Sequence, residues 1–207
     1  MIAAAIIVLG YLLGSCPWGY WLPLLVEHDD IRTQQKGSGN IGVTNVWRIY
    51  HARLGLPVLV LDIAKGLVPA LLGVLFVSHT VGIVAGAAAM AGHWRPLYLR
   101  WQRGGKIVAT SFGVFLALAP LAAGTSAILW LSLFALFGYA SIASVLTGVW
   151  LPVGSWVFGY PASVVLLAVV ASSVTIYLHR QNLQRLRRGT ENQSSIALTR
   201  RLGFGRG

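Results

Sequence analysis

Three polar segments, far apart in the chain, carry the residue types that hold and activate phosphate esters. The first reads Lys36-Gly37-Ser38-Gly39-Asn40-Ile41-Gly42-Val43-Thr44-Asn45, with Arg48 close behind. Glycines let backbone N–H groups turn inward and form an anion-binding concavity. Ser38, Asn40, Thr44 and Asn45 add neutral hydrogen-bonding groups, and Arg48 adds a planar fork that matches phosphate. A flexible polar linker is the plainer reading. A linker, however, has no need of hydroxyls, amides and an arginine placed so close together.

The second segment has Gly92-His93-Trp94-Arg95-Pro96, then Arg103-Gly104-Gly105-Lys106. Two glycines before a lysine, at the start of a helix, suit a phosphate seat, because a helix N-terminus offers N–H groups and partial positive charge. The spacing is not that of a Walker loop. Two readings of His93 stand: a member of this seat, or an interfacial residue with no chemical role. The third segment is His179-Arg180-Gln181-Asn182-Leu183-Gln184-Arg185, followed by Gly189-Thr190-Glu191. On a helix His179 and Asn182 share one face. A histidine beside a positioned amide suits proton transfer or orientation of a hydroxyl. An amphipathic basic tail explains the arginines but not that pair.

These segments interrupt a chain that is otherwise apolar. Of 207 residues 56% are hydrophobic and 10% charged, against about a quarter charged in soluble domains. The runs Ile2 to Val26 and Gly66 to Met90 carry no charge, and about 20 apolar residues suffice to cross the hydrocarbon core as a helix. They lack the alternation of barrel strands and are too long for them. The net charge of +11 would suggest nucleic acid on a soluble protein. Here fifteen of the sixteen Lys and Arg residues fall within residues 32 to 53, 95 to 106 and 180 to 206, which places those segments together on the cytoplasmic side. Part of this charge fixes topology and meets anionic lipid heads. Leu183 and Leu186 among the tail arginines suit a short helix on the membrane surface.

The expected fold is therefore all-α and polytopic, a single membrane-embedded domain over 1–207 with its N-terminus outside and its C-terminus cytoplasmic. Seven transmembrane helices are placed near 2–25, 54–77, 79–93, 107–123, 125–142, 145–158 and 161–179, with five as the fallback. The breaks in the second half are placed near Gly124, around Ser141 to Ser144, and at Gly159 to Pro161. Cytoplasmic loops 27–53 and 94–106 and the tail 180–207 carry the motifs. Asp62 and Lys65 are the charges deep in a span, on one face of it. Intramembrane ionisable groups face a cavity or a partner, so both a structural ion pair and a part in catalysis stay open. The single cysteine, Cys16, forms no disulfide within the chain and reads as ordinary packing.

Taken together, these residues resemble the bacterial membrane acyl-phosphate:glycerol-3-phosphate acyltransferases. The resemblance rests on Gly37-Ser38-Gly39-Asn40 with Thr44-Asn45 and Arg48, then on Asp62-Ile63-Ala64-Lys65-Gly66. It continues through Gly92-His93 with Pro96, Gly104-Gly105-Lys106 with Ala109-Thr110, and His179-Arg180 with Asn182, Arg185, Gly189 and Glu191. It implies a cofactor-free and metal-free enzyme of the bacterial inner membrane, its active site facing the cytoplasm. Such an enzyme transfers a fatty acyl group from acyl phosphate to the 1-hydroxyl of sn-glycerol 3-phosphate, giving lysophosphatidic acid and phosphate as phospholipid synthesis begins. Its partners are those two substrates and membrane lipids, with no nucleic acid, and a monomer is expected. By position, Ser38 and Arg48 would bind and polarise substrate, Gly104 to Lys106 would hold the glycerol phosphate, and His179 and Asn182 would sit at the reacting centre. Gly37, Gly39, Asn40, Thr44, Asn45 and His93 would line the substrate sites, and Asp62, Lys65 and Glu191 would support them. A family serine between spans 5 and 6 is assigned to Ser144, with Ser141 as the neighbouring alternative.

Two positions depart from the family pattern: Ile107 stands where glycine is usual, and Val43 where alanine is usual. A β-branched residue does not adopt φ > 0 cheaply, so if relatives are left-handed at 107 this loop is expected to differ. Two rival functions fit less well. A small-anion or phosphate-ester transporter would suit the basic loops and the Asp62–Lys65 pair, but all polar motifs fall on one side and no inverted repeat is visible. A catalytically silent lipid-binding relative would bind substrate without releasing phosphate. None of the five histidines has an aspartate five positions on, so the His-x4-Asp signature of acyl-CoA-dependent acyltransferases is missing.

Overall fold

The computed structural model describes residues 1–34, 37–194 and 197–201; Lys36 of the first motif lies outside them. Every regular element among the described residues is helical. The chain divides into two compact units, Met1–Leu118 and Ala119–Gly207.

The first unit opens with α1 (Ile2–Gly14) and α2 (Trp18–Glu27), which meet at an angle of 47°. The sequence places one span over this stretch, near 2–25. Pro17 explains the bend, because it lacks the N–H that would continue the helical ladder. A long α3 (Val43–Phe76) follows, then α4 (His79–Trp94), a 3₁₀ turn (Leu97–Leu99) and α5 (Val108–Leu118). α1 packs on α4, and α3 on both α4 and α5. Contact between α1 and α4 depends on missing side chains: a Cβ on Gly14 would lie 2.1 Å from the Ala89 carbonyl oxygen. Close approach through small residues is the usual way helices associate in lipid, where no hydrophobic drive separates one apolar surface from another.

α3 begins eleven residues before the expected Leu54, inside the expected polar loop 27–53. At His51 it leaves helical geometry (φ 54°, ψ −155°), which divides a polar first part from an apolar second part. The polar part is held from below by a cluster of Ile31, Ile41, Val46, Leu54, Val58 and Leu99, with Trp18, Tyr20 and Tyr50 packed around it. Hydrogen bonds tie the loop's entry to that cluster. Asp29 accepts from Tyr50 Oη and from Gln34 Nε2 (2.6 Å), and Arg53 pairs with Glu27 at 2.9 Å. Asp30 takes a two-pronged contact from Arg32, at 2.9 Å to Nε and 2.7 Å to Nη2, which holds its carboxyl below the ordinary range.

The second unit contains α6 (Pro120–Phe137), α7 (Ala140–Val157), α8 (Ala162–Leu178), α9 (Arg180–Arg187) and α10 (Leu198–Arg201). Two of the expected breaks move. Gly124 lies inside α6, where a Cβ would meet nothing within 4 Å, and the chain breaks instead at Ala119, before Pro120. Proline disfavours the helical region for the residue ahead of it, so it is a stronger boundary than a lone glycine. α6 then ends at Gly138, whose φ of +75° closes the helix with an N–H donated to Phe134 O at 2.8 Å, short of the expected Ser141 to Ser144. Indole–hydroxyl bonds join α6 to α7: Trp130 Nε1 to Ser144 Oγ and Trp150 Nε1 to Thr125 Oγ1, both 3.0 Å. α8 and α9 meet at 50°, with His179 at the corner.

α3, α6 and α7 are each long and apolar enough to cross a membrane, and five such spans result if each bent pair counts as one. α5 is a shorter apolar helix. Leu56, Val60, Leu75, Leu131 and Val149 are among the large apolar side chains left outside the packing, as a lipid-facing surface requires.

Candidate active site

Two buried isoleucines, Ile31 ahead of the first motif and Ile41 within it, pin the segment, so it is not a free linker. Two asparagines, Asn40 and Asn45, shape the loop. Asn45 Oδ1 accepts the Ser38 N–H at 2.8 Å and Arg48 Nη1 at 3.4 Å, while its Nδ2 donates to the Asn40 carbonyl at 2.8 Å. Asn40 Oδ1 in turn accepts the Gly42 N–H at 2.8 Å, and Gly39 turns the chain with φ +66°. Asn45 is 3% exposed. Expected among the substrate contacts, Asn40 and Asn45 are thus engaged in loop geometry. Ser38, Gly39 and Thr44 lie on the accessible side, next to the first turn of α3 and the partly exposed Arg48.

The second motif folds back on the end of α4. Gly104 donates its N–H to Trp94 O and Gly105 to His93 O, both at 3.0 Å. These two amides therefore do not point at an anion, as the sequence had suggested. The glycines serve contact instead: a Cβ on Gly105 would sit 2.0 Å from His93 Nε2, and one on Gly104 2.1 Å from the His93 carbonyl oxygen. His93 is 5% exposed and lies under the loop, not at its mouth. Lys106 is partly exposed, and α5 starts two residues later, where the first N–H groups of a helix have no intrahelical acceptor.

Ile107, between Lys106 and α5, has φ +58°. The expected avoidance of that conformation does not occur. Its side chain is 2% exposed, and its carbonyl accepts the Ser111 N–H at 2.7 Å, so packing and the first helical bond hold the backbone there. A left-handed non-glycine residue costs of order 1–3 kcal/mol, whereas truncating a buried isoleucine costs about 2–5 kcal/mol. Packing outweighs strain. Ile107→Gly is accordingly expected to lower stability by a net ~1–2 kcal/mol in thermal unfolding of the detergent-solubilised protein; a rise in melting temperature would show that strain dominates.

Asp62 and Lys65 form a buried pair, Oδ1 to Nζ 2.7 Å, with side chains 2% and 4% exposed. Lys65 Nζ also donates to Cys16 O (2.9 Å), at the bend between α1 and α2. Of the two readings left open by the sequence, this geometry favours the structural ion pair. Cys16 contributes its carbonyl rather than its thiol.

In the second unit Glu191 is the hub. Its Oε1 accepts from Asn182 Nδ2 at 2.7 Å and Ser141 Oγ at 3.0 Å, and its Oε2 accepts from Arg185 Nε at 2.8 Å. Of the two candidate serines, Ser141 is the one that reaches Glu191. The Ser144 hydroxyl donates to Ala140 O at 2.7 Å and accepts from Trp130, so it belongs to helix packing. His179 is 4% exposed, and its Nδ1 lies 2.8 Å from Thr175 O. A carbonyl only accepts, so in the neutral ring Nδ1 carries the proton and Nε2 the lone pair. In that tautomer Nε2 is the basic nitrogen. Among the described residues no group of three or more His, Cys, Asp or Glu side chains gathers as a metal site would require.

The chain has clear likenesses among known proteins. A family profile described as glycerol-3-phosphate acyltransferase matches residues 4–189. Glycerol-3-phosphate acyltransferase of Desulforudis audaxviator is 42% identical over 195 residues, covering 93% of this chain and 97% of the relative. That of Sinorhizobium fredii is 40% identical over 184 residues, covering 89% of this chain and 88% of the relative. Among solved structures, PlsY, an integral membrane glycerol 3-phosphate acyltransferase, superposes in its glycerol 3-phosphate form with a TM-score of 0.88 at 35% identity, covering 99% of this chain and 100% of that one. Its lysophosphatidic acid form gives a TM-score of 0.84 at 34% identity, covering 95% of this chain and 97% of that one.

Proposed function

The chain belongs to the glycerol-3-phosphate acyltransferase family, and from that premise we propose that it transfers a fatty acyl group from acyl phosphate to the 1-hydroxyl of sn-glycerol 3-phosphate. The hydroxyl oxygen bonds to the acyl carbon, the bond from that carbon to the phosphate oxygen breaks, and inorganic phosphate leaves. Lysophosphatidic acid is the lipid product. Because an acyl phosphate already has a good leaving group, no strong enzymatic nucleophile and no acyl-enzyme are needed. The demands are to hold two anions against their repulsion, to stabilise the oxyanion, and to remove one proton.

The residues divide along those lines. Lys106 and the start of α5 take the phosphate of the acceptor. Arg48, with the accessible Ser38 and Thr44, takes the donor and the developing oxyanion. Asn40 and Asn45 keep that loop in shape. His179 Nε2 accepts the hydroxyl proton, Asn182 orients the acceptor, and Glu191 holds Asn182, Ser141 and Arg185 in place. The observation that supports this reading most is the 2.8 Å contact between His179 Nδ1 and the Thr175 carbonyl, which leaves Nε2 as the basic nitrogen of the neutral ring. We further take the chain to cross the inner membrane seven times as a monomer, counting α1 with α2 as one bent span and α3 to α8 singly. Its N-terminus then lies outside, and its basic segments and active site face the cytoplasm.

The donor is the part of this proposal most open to test. Purified protein given sn-glycerol 3-phosphate should consume synthetic acyl phosphate and leave acyl-CoA untouched. Robust acylation from acyl-CoA would overturn the donor assignment.

A further inference from the structure

Under the Gly104-Gly105-Lys106 loop lies a run of buried polar groups with no part in the chemistry described above. It starts at the Cys16 carbonyl, in the break between α1 and α2. It passes through Lys65 Nζ (2.9 Å) and Asp62 Oδ1 (2.7 Å), and reaches His93, whose Nδ1 is 3.9 Å from that same oxygen. The charge pair thus ties the bend of α1–α2 to the middle of α3, and the last turn of α4 lies against it through His93. His93 Nδ1 is buried without a hydrogen-bond partner. A polar ring is costly to bury in that state, so something else about its position must matter.

Its other edge suggests what. The imidazole occupies the space that a Gly105 side chain would need, with Nε2 only 2.0 Å from the place of that Cβ, and the His93 carbonyl accepts the Gly105 N–H. The ring is thus a floor for the loop, with the Asp62–Lys65 pair on its far side. We propose that Asp62, Lys65 and His93 form a buried positioning chain that holds Gly104 to Lys106 at the level needed for sn-glycerol 3-phosphate, so that His93 governs acceptor affinity without touching the acceptor. This rests on the assignment of Lys106 to the acceptor phosphate. His93 is then a positioning residue in a supporting shell, where loss of a support shifts the group it carries.

The test is a double-mutant cycle on sn-glycerol 3-phosphate binding, read by calorimetry in detergent without a donor, alongside KM values for both substrates. His93→Ala is expected to weaken acceptor binding roughly tenfold, with the KM for acyl phosphate moving less than about twofold. Gly105→Ala should weaken acceptor binding at least as much. The combined variant gives the new methyl the room the ring vacated, so it should bind within about threefold of the better single variant or tighter, well short of the product of the two losses. Multiplicative losses, or equal rises in KM for both substrates, would overturn the positioning role. If His93→Ala does not fold, Gly105→Ala still decides: acceptor binding equal to that of the unaltered protein sinks the proposal. Binding without acylation in the unaltered protein would instead refute the proposed reaction and leave the positioning chain intact. No binding at all would remove both.

Discussion

Lys106→Ala is expected to reduce kcat/KM for sn-glycerol 3-phosphate by about 30-fold or more, mostly through a higher KM for that substrate. A charge-assisted hydrogen bond contributes about 1.5–3 kcal/mol, and each ~1.4 kcal/mol is a factor of ten. Loss of a phosphate contact near 2 kcal/mol therefore gives the stated effect. Geometry supports a focused loss. Lys106 follows two glycines whose amides are already bound to Trp94 and His93, so those amides cannot take over its role. Lys106→Arg should recover part of the affinity, since it keeps the charge but not the reach or shape of an ammonium. Steady-state kinetics with acceptor varied at saturating donor read this directly. Unchanged KM and kcat in Lys106→Ala would count against the phosphate role.

Glu191→Ala is expected to cost about 3–5 kcal/mol of stability, as breaking a buried charge pair does when one partner remains. The carboxylate is 6% exposed and accepts from Asn182, Ser141 and Arg185 together. Without it the buried Asn182 and Ser141 lose their acceptor, and the tail loses its tie to α7. The Arg185 side chain is 35% exposed and can turn to water, which places the expected value toward the lower end of that range. Glu191→Gln should fall between, because its amide oxygen still accepts from Asn182 and Ser141 while its NH₂ faces the Arg185 donor. Melting temperature at one fixed scan rate in one detergent should rank the three as native, Gln, Ala. A melting temperature for Glu191→Ala equal to that of the native protein would remove Glu191 from its place as hub.

Much of this arrangement is visible in the chain itself, and the parts that are not share a cause. Uncharged runs and basic segments are local properties, so the apolar helices and polar motifs can be found by eye. Helix ends are set by competition between neighbours, which is why Pro120 and Gly138 end helices while Gly124 does not. Residue type reveals that Asn40 and Asn45 make hydrogen bonds, but only the fold shows that loop amides and carbonyls are their partners. The spacing of Asp62 and Lys65 puts them on one helix face. Their link to Cys16, 49 residues from Lys65, has no signature in sequence. The same holds for Ser141 and Glu191, 50 residues apart: both serines near the start of α7 look alike until the tail folds over one of them. At Ile107 the sequence rule is sound and loses to packing, as local preference does when a side chain is fully buried.

The proposed reaction is one event, the passage of an acyl group from a phosphate anhydride to a hydroxyl on a second phosphate ester. Release of inorganic phosphate from a synthetic acyl phosphate, followed with and without sn-glycerol 3-phosphate, measures it directly. Phosphate should appear only when the acceptor is present, one for each lysophosphatidic acid formed. Release that ignores the acceptor, or none when both substrates are supplied, would contradict it.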